Sequence, residues 1–189
     1  MVALIPVAVI GVVVVLLIFA IRTSAARIER LAGQSGISQM QRRWFLGAGI
    51  RGHWQGYRTD WIIRGGGKHP LRAIVDVFAS APGRLLITRK QWWNPALFGP
   101  PAIDMPMYPD LVVRGDDSML ATRLLGDSEI LPLIMAAMTH GLDRLELMPG
   151  SVRVQRFCRS GGVDRDERMR EAFTLTTTVV TKLGFPPAG

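Results

Sequence analysis

The chain has 189 residues and a mass of 20.8 kDa; it is 48% hydrophobic and 20% charged, with a formal net charge of +8 and a mean hydropathy of +0.21. That length allows one ordinary domain, the single Cys158 excludes a disulfide framework, and three scattered histidines exclude most metal clusters. A positive mean hydropathy beside so much basic charge requires the apolar residues to be concentrated in one place.

They are concentrated at the start. Val2 to Ile21 is twenty residues without a charge or a strongly polar side chain. At about 1.5 Å per residue it reaches roughly 30 Å, the hydrocarbon thickness of a bilayer. Pro6 falls in the first turn and Gly11 is tolerated in a membrane helix. A cleaved signal peptide would need a basic leading region and a shorter apolar stretch, whereas no Lys or Arg precedes this run and Arg22 follows it directly. The reading is a retained transmembrane helix over 1–21. Arg22, Arg27, Arg30, Arg42 and Arg43 against the single Glu29 place its C-terminal flank in the cytoplasm, with the N-terminus outside.

Basic charge is uneven along the remainder. Residues 22–90 carry 13 Lys and Arg against three acids, a net of +10, and residues 91–189 carry 10 against 12, a net of −2. The basic half is the half next to the predicted bilayer, where anionic headgroups attract each basic residue by about 1 kcal/mol. Nucleic-acid binding needs a module or aromatic platforms that the sequence does not show.

The predicted helix runs on through Leu31 and stops at Gly33, and Gly33–Gly36 reads as a linker. Trp44 and Phe45 beside Arg42 and Arg43 suit the headgroup layer, and equally suit the first packed residues of a domain. Gly52 to Arg64 predicts a hairpin turning at Gly56, Leu71 to Ser80 a strand covered on both faces, Leu85 to Thr88 and Leu111 to Arg114 shorter strands. Asp116 and Asp117 cap a helix to Gly126, and Asp127 to Gly141 is a second helix. Leu142–Met148 and Val152–Phe157 pair about Pro149-Gly150-Ser151. Asp164-Arg-Asp-Glu167 is a capping-box pattern opening a helix that ends at Gly184. Strands, two helices, a hairpin and a helix predict α+β with a mainly antiparallel sheet and two or three helices after the membrane helix.

The chemistry of a reaction is hard to find. Gly47-x-Gly49-x-x-Gly52 matches the dinucleotide fingerprint in letters, but strand and turn residues follow where a helix is required. Gly67-Lys68 is followed by His69 instead of Ser or Thr, so it is no P-loop. His53, His69, His140 and Cys158 lack metal-ligand spacing, and no nucleophile elbow is present. The expectation is no catalytic, metal or cofactor site and no enzyme. Gln91 to Pro109 stands out, with five prolines and Trp92, Trp93, Phe98, Met105, Met107 and Tyr108. Such residues anchor interfaces, or fold back over the sheet as a small core; they form the candidate partner contact.

Val-Arg-Gly-Asp-Asp at 113–117, Leu-Leu-Gly-Asp-Ser at 124–128, the turn Met-Pro-Gly-Ser at 148–151 and a closing helix resemble uncharacterised bacterial single-pass membrane proteins over about 80 residues. In topology alone the chain is similar to the H subunit of purple-bacterial photosynthetic reaction centres, which has one N-terminal span and a cytoplasmic domain. That similarity implies a domain capping a membrane assembly.

The expected organisation is a transmembrane helix (1–21), a juxtamembrane helix and linker (22–46), a cytoplasmic α+β domain (47–184) and a short tail (185–189), in the inner membrane. The expected function is a non-catalytic accessory or scaffold subunit of a larger membrane complex, photosynthetic or respiratory, with membrane subunits and anionic headgroups as partners and no nucleic acid. Arg22, Arg27, Arg30, Arg42, Arg43, Trp44 and Phe45 form the expected membrane interface. The alternatives are a tethered module binding anionic lipid or a small anion through Arg51, Arg58, Arg64, Lys68 and Arg72, and an enzyme whose site is assembled from distant residues.

Overall fold

Alternation of apolar and polar residues in the central strands produces one wide sheet with two unlike faces. The computed structural model describes residues 4–43, 48–66, 69–90, 100–139, 142–158 and 162–189, without the side chains at 4–11, 14, 17, 18, 20, 21, 66, 69, 143, 162 and 163. In chain order the elements are α1 (Leu4–Gln34), β1 (Ser38–Arg43), β2 (Ala48–Trp54), β3 (Tyr57–Gly66), β4 (His69–Val77), β5 (Leu85–Arg89), β6 (Ala102–Ile103), β7 (Leu111–Gly115), α2 (Ser118–Gly126), α3 (Ile130–Thr139), β8 (Leu142–Met148), β9 (Ser151–Cys158) and α4 (Gly162–Leu183). The fold is α+β, with nine antiparallel strands in the order β1-β2-β3-β4-β9-β8-β5-β7-β6 and four helices.

The strand order is not the chain order. β1 to β4 form a meander, and the β8–β9 hairpin then wedges between β4 and β5. Register is continuous across this junction. Ile50, Trp61, Val75, Val154, Leu145, Ile87 and Val113 are successive cross-strand partners, and each is at most 2% exposed. The helices cover this row: α1 packs on β2, α4 on β4 and β9, α3 on β8 and α2 on β7.

Local chemistry sets the corners. Gln55 and Gly56, both at positive φ, make the two-residue turn between β2 and β3, the type I′ geometry that matches strand twist. Asp117 caps α2 by accepting from the Met119 and Leu120 amides at 2.8 and 3.0 Å, and Asp127 does the same for α3 with Glu129 and Ile130. Gly184, at φ +68°, ends α4 while the Phe185 amide donates to the Val180 carbonyl, the Schellman arrangement.

Three expectations are corrected. The capping box does not form, because α4 begins at Gly162; Asp164 instead lies in its first turn and accepts from Arg168 at 3.2 Å. The first helix ends at Gln34 and the left-handed glycine that follows is Gly36, not Gly33. Finally, the segment expected to be juxtamembrane is built into the domain: Ile28, Leu31, Ala32 and Ile37 belong to the core, and β1 is an edge strand of the sheet. Among the described residues no helix is long and apolar enough to cross a membrane. Most side chains of 1–21 lie outside those residues. Val12, Val13, Val15, Leu16 and Phe19 are described, and each is more than half exposed.

Gly49 and Gly52, read as members of a nucleotide fingerprint by letters alone, are β2 residues that admit neighbours closely. A Cβ on Gly52 would lie 2.3 Å from Ile37 Cγ2 and 2.8 Å from the Ser38 carbonyl oxygen, and one on Gly49 would lie 2.7 Å from the Trp61 carbonyl oxygen. Gly52→Ala is therefore expected to destabilise the domain by about 1–3 kcal/mol through overpacking. Gly126→Ala, with nothing within 4 Å of the added carbon, should be neutral or stabilising by up to about 1 kcal/mol. Unfolding midpoints of the two variants check the contrast.

Candidate functional site

One residue along each strand from the core row lies a second row, on the sheet face opposite the helices. Arg51, Asp60, Asp76, Arg153, Glu146, Leu86 and Arg114 are successive cross-strand partners on β2, β3, β4, β9, β8, β5 and β7. Arg58 and Arg144 lie two residues along their strands from this row, and Arg64 and Arg72 four residues, on the same face. The result is an arginine-rich surface assembled from both halves of the chain.

At its centre two carboxylates confront one another. Asp60 and Asp76 are direct partners across β3 and β4 and are 2% and 4% exposed. Like charges placed so are destabilising, and the flanking guanidiniums offset this. Arg51 donates to Asp60 from Nε at 2.8 Å and Nη2 at 3.2 Å, and Arg43 pairs with the same aspartate. Arg153 donates to Asp76 from Nε at 2.6 Å and Nη2 at 3.1 Å, and its Nη1 lies 4.0 Å from Glu146. Both are fork-to-fork contacts, the strongest ion-pair geometry available to arginine.

Burial raises the Asp76 pKa above its ordinary 3.8; the hydrogen bonds and charge of Arg153 oppose this, and the neighbouring Asp60 charge adds to it. The Arg51 and Arg153 guanidiniums are held protonated more firmly than usual, each chiefly by its aspartate. Around this ladder the Arg58 guanidinium lies 3.8 Å from the centre of the Phe78 ring. Arg64 is exposed, and Phe157, the cross-strand partner of Arg72, is 39% exposed.

The expected residues fall into three groups. Arg51, Arg58, Arg64 and Arg72 are brought together on this face, while Lys68 lies outside the described residues. Of the expected membrane interface, Arg27 pairs with Asp166 of α4 at 2.7 Å, Arg42 with Glu29 at 2.7 Å and Arg43 with Asp60; Arg22 and Arg30 are exposed, and Trp44 and Phe45 lie outside the described residues. Trp92, Trp93 and Phe98 also lie outside them. Within the same loop Met105 and Tyr108 pack against the core, the Tyr108 hydroxyl donating to the Leu125 carbonyl at 3.1 Å, and Met107 is 82% exposed.

Sequence reasoning did not assemble Arg114, Arg144 and Arg153 with the others. The alternation of Arg153, Gln155 and Phe157 with Val152 and Val154 carried the signal for one strand, but the β4–β9 pairing that joins the halves is long-range. Cys158 is buried and its thiol is pushed up to about 11, chiefly by desolvation, which makes it a poor nucleophile. Among the described residues no group of three or more His, Cys, Asp or Glu is placed to hold a metal ion.

No family model and no curated protein matches the chain. Among solved structures, the crystal structure of the mycobacterial trehalose monomycolate transport factor A, TtfA, superposes with a TM-score of 0.57 at 11% sequence identity, covering 89% of this chain and 99% of that one. The likeness is one of fold.

The ladder makes a pH prediction. Because the folded pKa of Asp76 is raised, its protonation favours the fold: the contribution is fully present below the ordinary 3.8 and is lost as pH rises through the raised folded value. A carboxyl-carbon NMR titration of the full chain should place the Asp76 midpoint above 3.8, lower it in Asp60→Asn and raise it in Arg153→Gln. An Asp76 midpoint indifferent to both substitutions would show that the ladder is not electrostatically coupled.

Proposed function

We propose that this protein is a membrane-tethered, non-catalytic accessory subunit that holds its α+β domain in a fixed relation to a membrane assembly. The observation that carries the reading is the course of α1. One 31-residue helix, about 46 Å long at 1.5 Å per residue, contains most of the apolar run at one end and the core residues Ala25, Ile28, Leu31 and Ala32 at the other. Val12, Val15, Leu16 and Phe19 form an exposed apolar stripe with helical spacing, and Val13 adds to it. Apolar surface of this kind calls for lipid or protein to cover it. The uncharged length of Val2 to Ile21 suits a bilayer, and the arginines that follow suit its cytoplasmic side.

What joins the two ends is stiff. Arg27 bonds to Asp166 of α4, and Arg42 of β1 bonds to Glu29 of α1, so the helix is clamped from two sides as soon as it leaves the apolar run. An anchor on a flexible tether would only raise local concentration; an anchor continuous with the core also sets orientation. The name of the structural neighbour, a transport factor, is compatible with an accessory role in place of catalysis.

The arginine face favours a second reading, recognition of anionic lipid or a small anion by the domain itself. Salt-sensitive binding of residues 22–189 to anionic liposomes, absent from zwitterionic ones, would support it. Truncation at residue 22 keeps the core segment of α1, whereas truncation after Gly33 would remove Ile28, Leu31 and Ala32 from the core.

For the leading reading, full-length protein purified in mild detergent should bring a stoichiometric set of membrane subunits, identified by mass spectrometry. Deleting residues 2–21 should abolish their recovery. Inserting a flexible Gly-Ser segment of ten residues between Ile21 and Arg22 should retain membrane attachment and lose function of the assembly. Normal assembly of the anchorless domain would sink the proposal.

A further inference from the structure

Arg156 lies on the helix side of β9, between the core residues Val154 and Cys158, and is 1% exposed. Its charge cannot be shed by ordinary titration, so a buried guanidinium needs anionic and hydrogen-bonding partners. Its charge partner is Glu171 of α4, whose Oε2 lies 2.8 Å from Arg156 Nη2. That same oxygen accepts from Arg168 Nη1 at 2.9 Å. Among the described residues, Nε and Nη2 of Arg156 are buried without an aligned hydrogen bond.

Those two nitrogens form the edge of the guanidinium that this protein uses elsewhere to hold carboxylates. Arg51 closes its Nε and Nη2 on Asp60, and Arg153 closes the same pair on Asp76. In Arg156 the edge has no matching fork. Arg156 also lines a cleft of about 290 Å³ between α3 and α4, whose walls are Leu133, Ala136, Ala137 and Leu175 together with the charged Glu167, Arg170 and Glu171.

We infer that this cleft binds a small organic carboxylate with a short apolar tail, the carboxylate closing on the Nε and Nη2 edge of Arg156 and the tail lying along Leu133, Ala136, Ala137 and Leu175. Glu171 covers the edge in the unliganded protein and yields it by turning wholly to Arg168, which also holds Asp164 at 3.2 Å. Displaced in this way, Glu171 keeps a cationic partner and Arg156 gains one with both oxygens aligned. Burial lowers the Arg156 pKa, with the Glu171 charge opposing, as expected of a guanidinium whose present partner does not fully compensate its desolvation.

The test uses the full chain in non-ionic detergent, with the arginine side chains and the alanine and leucine methyls isotopically labelled, titrated with hexanoate. Saturable shifts should appear together at the Arg156 Nε–H and at the Ala136 and Ala137 methyls, and hexanol and hexylammonium should leave the Nε–H in place. Ala136→Trp, from an exposed position of α3, should fill the cleft and weaken hexanoate binding at least tenfold with the unfolding midpoint unchanged. Arg156→Met should remove the response, and if that variant does not fold, Ala136→Trp decides alone. The inference is overturned by the absence of a saturable shift, by a response that Ala136→Trp leaves intact, or by inorganic phosphate giving the Nε–H shift as strongly as hexanoate with the methyls silent.

Discussion

The structure depends on the antiparallel register that runs through the central row of seven strands. It places Ile50, Trp61, Val75, Val154, Leu145, Ile87 and Val113 beneath the helices, and one residue away it places Arg51, Asp60, Asp76, Arg153 and Glu146 on the other side. A slip of one residue at any pairing would turn an arginine or aspartate into the core and an aliphatic side chain out of it. The ion ladder is specific in a way the apolar row is not. Valine and isoleucine pack acceptably in neighbouring positions, whereas the fork of Arg153 meets both oxygens of Asp76 in one alignment only. The opposed aspartates, unfavourable as a pair, are tolerable only with the arginines on either flank, so the charged row and the register require each other.

The local parts of this fold were legible in the sequence. The Gln55-Gly56 turn, the Pro149-Gly150 turn, the Asp117 and Asp127 caps and the glycine stop at Gly184 all rest on the chemistry of a few adjacent residues, and each was anticipated at or near its place. The antiparallel sheet followed from the period-2 segments. Insertion of the β8–β9 hairpin between β4 and β5 was not legible, because nothing in residues 71–77 or 151–158 names its partner 80 residues away. Edge strand β1 was missed for a related reason. Ser38–Arg43 carries five polar residues in six, since an edge strand with both faces largely exposed has no apolar alternation to show.

The candidate surface was half legible. Arg51, Arg58, Arg64 and Arg72 could be picked out as a basic set, though not as neighbours on one face. Their company with Arg114, Arg144 and Arg153 required the long-range pairing. The same gap concealed the difference between arginines engaged within the fold, such as Arg43, Arg51 and Arg153, and those such as Arg64 that stand exposed. The net of +10 for residues 22–90 already counts Glu29 and Asp60, the acids that Arg42, Arg43 and Arg51 hold, and the pairing of Arg27 with Asp166 of α4 draws on it further.

The course of α1 connects these features. Its last turns enter the core against β2, where Gly52 lacks the side chain that would hold the segment after the helix away. Ile37 fills the space over Gly52, and β1 then runs back along β2 to bring Arg43 to Asp60. The last turns of α1 and the sheet edge that carries the first members of the ion ladder thus belong to one packed unit. A flexible linker at Gly33–Gly36 would have uncoupled them; Gly36 instead makes a tight reversal, with the Ile37 amide donating to the Ala32 carbonyl at 3.0 Å. Gly52 in β2 and the pairs Arg27–Asp166 and Glu29–Arg42 keep this junction short.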